Sequence, residues 1–89
     1  MTPQQRDLAR HALGLTRQAR SYRNRFVTGP GTSDHPVWMQ MVEDGFAWRR
    51  PGSELTGGDD LFGMTLTGAR AALDQGETLC PEDFPNQSI

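Results

Sequence analysis

A change of period at Gly45 constrains this chain more than any other feature. Before it, Val37, Trp38, Met41 and Val42 recur at the three- and four-residue spacing of one buried helical stripe, and Phe46 continues it. After it the period is two, with Phe46, Trp48 and Arg50 on one side of a strand and Ala47 and Arg49 on the other. A glycine between the two patterns supplies the left-handed residue that ends a helix and releases a strand. The stretch Asp34 to Leu73 therefore reads as helix, hairpin, helix, with the rest of the chain folded over it.

The flanking signals agree with this reading. Ser33 or Asp34 can cap the central helix, and Pro36 fits a first turn, where amides lack intrahelical partners. Met39, Gln40, Glu43 and Asp44 face outward. Pro51 stops the strand, and residues 51–60, PGSELTGGDD, are too polar and glycine-rich to bury a face, so they form a turn or loop. Leu61 to Met64 can return antiparallel. Thr65 then caps a last helix to about Leu73, with Leu66, Ala69, Ala72 and Leu73 as a narrow apolar face. Gly68 in its first turn costs about 1 kcal/mol against alanine.

Upstream, Thr2, Pro3 and Gln5 make a capping-box start. Leu8, Ala12 and Leu15 share one face of that first helix, His11 lies beside them, and Gly14 ends it near Leu13. From Thr16 to Val27 the spacing of Ala19, Tyr22 and Phe26 predicts a second helix capped by Thr16. Its opposite face would carry Arg17, Arg20, Arg23 and Arg25, arginines interleaved with aromatic rings, which is the pattern nearest to a nucleic-acid footprint in the chain. A solvated face, or arginines neutralised by acids of the same molecule, explains the same pattern. Thr28 to Ser33 is a loop.

Eighty-nine residues make one domain, and a chain of this size buries roughly 60 to 65% of its unfolded surface, enough for one modest core. No apolar run approaches the roughly 20 residues needed to span a bilayer, and the N-terminus lacks a basic-then-apolar leader, so the expectation is a cytoplasmic protein without a membrane role. Cys80 is the only cysteine, which excludes an internal disulfide and a cysteine zinc cluster. The formal charge of −2 conceals an asymmetry: residues 1–50 hold eight arginines against four acids, and residues 51–89 hold one arginine against seven. All nine basic side chains are arginine, a bias that planar donors for anions and a GC-rich coding sequence explain alike. The segment DQGETLCPEDFPNQSI is acidic, with little periodicity, and reads as an irregular or flexible tail in which Leu79 and Phe84 can dock.

The order of elements predicts an α+β, mostly helical, winged helix-turn-helix-like domain over residues 1–73: three helices, a two-stranded β-hairpin wing and a trailing short helix, followed by the tail over 74–89. The run GFAWRR, a polar turn, LFGMT and a helix containing Gly68 resembles winged regulators. The ordered set HALGL, YRNRFVTGPG, MVEDGFAWRR and GGDDLF resembles a group of small proteins of unknown function encoded by tailed phages and prophages. That resemblance implies a mobile-element origin and action in the host cytoplasm, and it carries over no catalytic residues.

Enzymatic chemistry finds little support. Asp59 and Asp60 are neighbours that would point to opposite faces of a strand, no serine or cysteine nucleophile has a recognisable base, and His11 and His35 lie outside metal-ligand motifs. TGPGT lacks the lysine and spacing of a phosphate loop. The expectation is a non-enzyme without metal or cofactor. If the winged-helix order holds, Pro36 to Asp44 occupies the recognition position, where only Gln40 suits a base edge and Glu43 and Asp44 carry the wrong sign for phosphate. Arg49 and Arg50 at the base of the wing can touch phosphate or pair with Glu54, Asp59 and Asp60. Two functions follow. One is an interaction module that binds and modulates a host protein or complex, such as a defence system. The other is a winged-helix regulator binding double-stranded DNA through Arg17, Arg20, Arg23, Arg25, Gln40, Arg49 and Arg50. Homodimerisation is compatible with both.

Overall fold

The computed structural model describes residues 1–85; of the tail read over 74–89, the last four residues lie outside the described residues. Helix α1 spans Pro3–Leu13, strand β1 Phe26–Thr28, helix α2 Asp34–Glu43, strand β2 Ala47–Arg50, strand β3 Asp60–Met64 and helix α3 Leu66–Ala72, with one 3₁₀ turn at Glu54–Thr56. The sheet is antiparallel throughout, in the order β1-β3-β2. The described residues form an α+β domain with three α-helices and a three-stranded antiparallel sheet.

Local chemistry sets most of these boundaries. The Thr2 hydroxyl accepts from the Gln5 amide while the Gln5 side chain accepts from the Thr2 amide, so two donors at the start of α1 are satisfied reciprocally. Gly14 ends α1 at φ 81°. Gly45, at φ 83°, turns the chain from α2 toward β2 at the point where the period changes. The start of α2 differs from the expectation: the Ser33 side chain makes no capping bond, and the Thr32 hydroxyl instead takes the His35 amide at 3.3 Å. Thr65 caps α3 through the Gly68 amide.

The helix expected over Thr16 to Val27 is not formed. Residues 14–17 are turns and 18–19 a bend, Arg20 bridges to Thr78, and the chain then runs extended into β1. Ala19 and Tyr22, two of the three residues that suggested a helical stripe, are exposed. The inward residues are Ser21, then Asn24, Phe26 and Thr28 at strand spacing, and each polar one is satisfied. Ser21 accepts from the Cys80 amide at 2.8 Å, Thr28 shares a hydrogen bond with Thr32, and Asn24 bonds both the amide and the carbonyl of Met64. The expected two-stranded hairpin is therefore one part of a three-stranded sheet, and the paired helices of a helix-turn-helix are absent among the described residues.

The core lies between the sheet and the helices: Ala9, Ala12 and Leu13 of α1, Trp38 and Met41 of α2, Ala47, Phe62 and Met64 of the sheet, and Ala69 and Ala72 of α3. Leu79 and Phe84 belong to the same core. Residues 74–80 are tied to the start of the chain by the Arg6–Asp74 and Arg10–Glu77 ion pairs and by the amide of Thr78 donating to the Ala19 carbonyl. Burial of the Glu77 carboxyl opposes its ionisation, but the Arg10 guanidinium outweighs it and holds the group down at about 2; Glu77 in turn raises the pKa of Arg10.

Candidate functional site

Directly opposed residues of an antiparallel pair share a face. Phe26, Phe62 and Arg49 oppose one another on the inner side, as do Ala47 and Met64 at one end and Thr28 and Asp60 at the other. The outer side holds Val27, Leu61 and Arg50 in one row, and Trp48 opposite Gly63 in the next. Gly63 is required there, because a Cβ would occupy the space of the Trp48 indole.

The inner face carries a carboxylate surrounded by donors. Asp60 accepts from Arg49 Nε at 2.9 Å and Nη2 at 3.2 Å, from the Gly52 amide at 2.8 Å and from His35 Nε2 at 2.8 Å. The Arg49 guanidinium first, then the His35 ring, outweigh the cost of burial and hold this carboxyl far below the ordinary carboxylate range. An ionised carboxylate only accepts, so His35 carries its proton on Nε2. Each Asp60 oxygen already receives two donors, which fills the lone-pair sites of the carboxylate. It has no capacity left to take a proton from a substrate, and its chemistry is that of an anchor.

That anchor is attached to a ladder of rings. His35 meets Phe62 edge-on at 5.7 Å, Phe62 stacks on Trp38 at 5.4 Å, Trp38 meets Phe26 at 5.2 Å, and Phe26 meets His11 edge-on at 5.7 Å. The two histidines thus terminate an aromatic series through the core, and Trp38 Nε1 is buried in it without a hydrogen-bond partner.

On the outside, an open groove of about 660 Å³ is lined by His11, Arg23, Arg25, Phe26, Val27, Leu55 and Leu61. Leu55 is 98% exposed and Val27 48%. Among the described residues, no carboxylate lines this groove. No family model, curated protein or solved structure matches this chain.

The residues singled out in the sequence scatter over this framework. Arg17 and Arg20 are exposed in the turns after α1, whereas Arg23 and Arg25 lie in the extended segment that replaces the expected helix. Arg23 donates to the His11 carbonyl at 2.7 Å and lies 5.3 Å from the centre of the Tyr22 ring. Arg23 and Arg25 come together as walls of the groove. Arg49 points inward to Asp60, whereas Arg50 lies on the outer face and is exposed. Gln40 is occupied by the Asp44 carboxylate at 3.0 Å. Among the described residues, Arg17, Arg20, Arg23, Arg25 and Arg50 make no ion pair.

Sequence reasoning passed over the groove's apolar members. Val27 falls in the stretch whose spacing predicts a helix, and Leu55 in a polar loop where a single leucine gives no periodicity. The β-branched Val27 and Thr28 beside Phe26 were the available strand signal.

Proposed function

We propose that this chain is a non-enzymatic interaction module that binds and modulates a protein complex, docking through the outer face of its sheet. The observation that carries this reading is the open groove in which Val27, Leu55 and Leu61 lie beside Arg23 and Arg25 with no acidic side chain among them. An apolar groove rimmed by cations suits a partner that brings both apolar and acidic side chains. Asp60, the most perturbed carboxylate, is saturated by its donors, which argues against a proton-transfer site. On this reading the fold is a winged-helix variant, with β2 and β3 as the wing and β1 in place of one helix. A phage or prophage origin, and a host-cell complex as the partner, rest on the sequence resemblance alone.

Double-stranded DNA is the second reading, favoured by Arg17, Arg20, Arg23, Arg25 and Arg50, which make no ion pair among the described residues. Three features oppose it. Helix α2 presents Glu43 and Asp44, Gln40 is engaged by Asp44, and Arg49 is committed to Asp60. Fluorescence anisotropy with mixed-sequence duplex at low and near-physiological salt separates the two, because neutralised phosphates release counterions and make binding steeply salt-dependent. The interaction reading expects no saturable duplex binding, together with a stoichiometric partner captured from nuclease-treated host lysate and lost on Leu55→Glu. Duplex binding that weakens with salt, or capture of nothing beyond proteins bridged by nucleic acid, would overturn it.

A further inference from the structure

The groove follows one edge of the sheet, and the polarity of that edge can be worked out. The Asn24 side chain bonds both the amide and the carbonyl of Met64, so the backbone of Met64 faces β1. Backbone groups alternate along an antiparallel pair, so Phe62 also faces β1, and its partner Phe26 faces β3. Val27, one residue on, turns its N–H and C=O away from the sheet. Arg25 does the same, and its amide confirms the direction by donating outward to the Ala12 carbonyl at 3.2 Å. Beyond Arg25 the free edge therefore offers one donor and one acceptor, both on Val27. The described residues supply no partner for either.

We infer that this edge takes an extended acidic peptide segment of a partner protein, which adds a strand beside β1 and places alternate apolar side chains against Val27, Leu61 and Leu55. This deepens the interaction reading above and rests on it. An added strand draws its affinity from main-chain hydrogen bonds and its selectivity from alternate side chains. Here the main-chain pair is that of Val27, the apolar contacts come from the outer face, and the charge is set by Arg23 and Arg25. Those guanidinium groups lie in a lining without a carboxylate, so acidic side chains complete it and basic ones are repelled.

Other occupants fit less well. A second copy laid edge to edge would bring four guanidinium groups and no carboxylate to the joint face. A nucleic-acid strand would satisfy the arginines but has no donor suited to the Val27 carbonyl along its phosphates. The aliphatic Val27, Leu55 and Leu61 also give it little of the flat aromatic platform on which bases stack.

The test is an amide-resolved NMR titration of the whole chain with a capped hexapeptide of alternating glutamate and valine. Its lysine–valine counterpart and a single-stranded oligothymidylate serve as competing probes. The expected result is a saturable shift centred on the Val27 and Arg25 amides with the acidic peptide only, weakened at least tenfold by Arg25→Glu and by Leu55→Glu. Both substitutions fall on exposed side chains, and the unchanged remainder of the spectrum checks that the variants are folded. Absence of a shift at Val27, equal binding of the lysine peptide, or stronger binding of the oligonucleotide at the same amides would each overturn the inference. The edge assignment and the broader reading fail separately: a partner captured equally by wild-type chain and Arg25→Glu would remove the edge assignment and leave the interaction module standing.

Discussion

Phe84 lies in a segment with no regular secondary structure, twelve residues beyond the last helix, yet it is only 5% exposed and belongs to the core. A buried aromatic side chain removes roughly 150 to 250 Å² from water, worth about 4 to 6 kcal/mol at roughly 25 cal/mol per Å². The extended-chain reference makes that an upper bound. Phe84 also borders an open recess of about 230 Å³ with Trp48, Met64 and Leu66, so water enters the space left by Phe84→Ala and no dry cavity is added. The expected loss is about 3 kcal/mol, at the low end of Phe→Ala substitutions. Set against roughly 4 to 13 kcal/mol of total stability for a domain of this length, that is a large fraction. Urea unfolding followed by tryptophan fluorescence measures it directly, and thermal unfolding reads the same change as a fall of roughly 12 to 24 °C. Glu82→Ala, two residues away on an exposed side chain, serves as the control and stays within about 0.5 kcal/mol. If Phe84→Ala behaves like that control, residues 74–85 are not part of the cooperative unit and the packing argument is refuted.

Other outcomes follow from the same structure. Both Asp60 and Glu77 have folded-state pKa values below the ordinary range, with Glu77 at about 2. Their contribution is complete above the unfolded carboxylate pKa of about 4 and is lost as pH falls through the folded values. Urea midpoints should therefore drop steadily below about pH 4, more shallowly in Glu77→Gln, and a midpoint flat or rising toward pH 2 contradicts the assignment. Gly68→Ala, which helix propensity alone makes favourable by about 1 kcal/mol, should destabilise the chain, because a Cβ there runs into the Phe46 carbonyl and the Met64 methyl; a raised melting temperature would refute the close approach. Thr2→Ala should lower stability by about 1 kcal/mol through loss of the capping box, read by the same urea titration.

Much of the fold was legible where a local signal has one structural meaning. The capping box at Thr2 and Gln5, the glycine stop after Leu13, the change of period at Gly45 and the Thr65 cap all lie within four residues of the groups they satisfy. The candidate surface was not legible in that way, since it depends on residues brought together from α1, the segment before β1, the 3₁₀ turn and β3. Asp60 illustrates the difference. In sequence it follows two glycines and another aspartate and reads as part of a turn. In the fold it begins the central strand, and its burial is compensated by Arg49, His35 and the Gly52 amide, none of which is adjacent to it. The possible pairing of Arg49 with a wing carboxylate was visible, but the identity of that carboxylate required the register of β2 against β3.

The failure of the second helix has a specific cause, and Asn24 tests it. Ala19, Tyr22 and Phe26 have helical spacing, but a helix over these residues would have to give up the Asn24 bonds to Met64, the Ser21 contacts with Thr78 and Cys80, and the edge pairing of β3. Asn24 replaces one rung of the ladder, since its amide group donates to the Met64 carbonyl at 3.1 Å and accepts from the Met64 amide at 2.7 Å. Asn24→Ala leaves both backbone groups without that partner, at a position where Met64 is buried. Two bonds worth about 0.5 to 1.5 kcal/mol each put the loss at about 1 to 3 kcal/mol. Asn24→Asp discriminates further: it keeps an acceptor for the Met64 amide but turns a carboxylate on the Met64 carbonyl, so at neutral pH it should be at least as damaging as alanine. Hydrogen exchange at the Met64 amide should accelerate in both variants, while the Gln5 amide, held by the distant capping box, is little affected. A variant that retained wild-type stability and Met64 protection would mean that β3 does not depend on this side chain, and the argument for a strand in place of the helix would lose its main support.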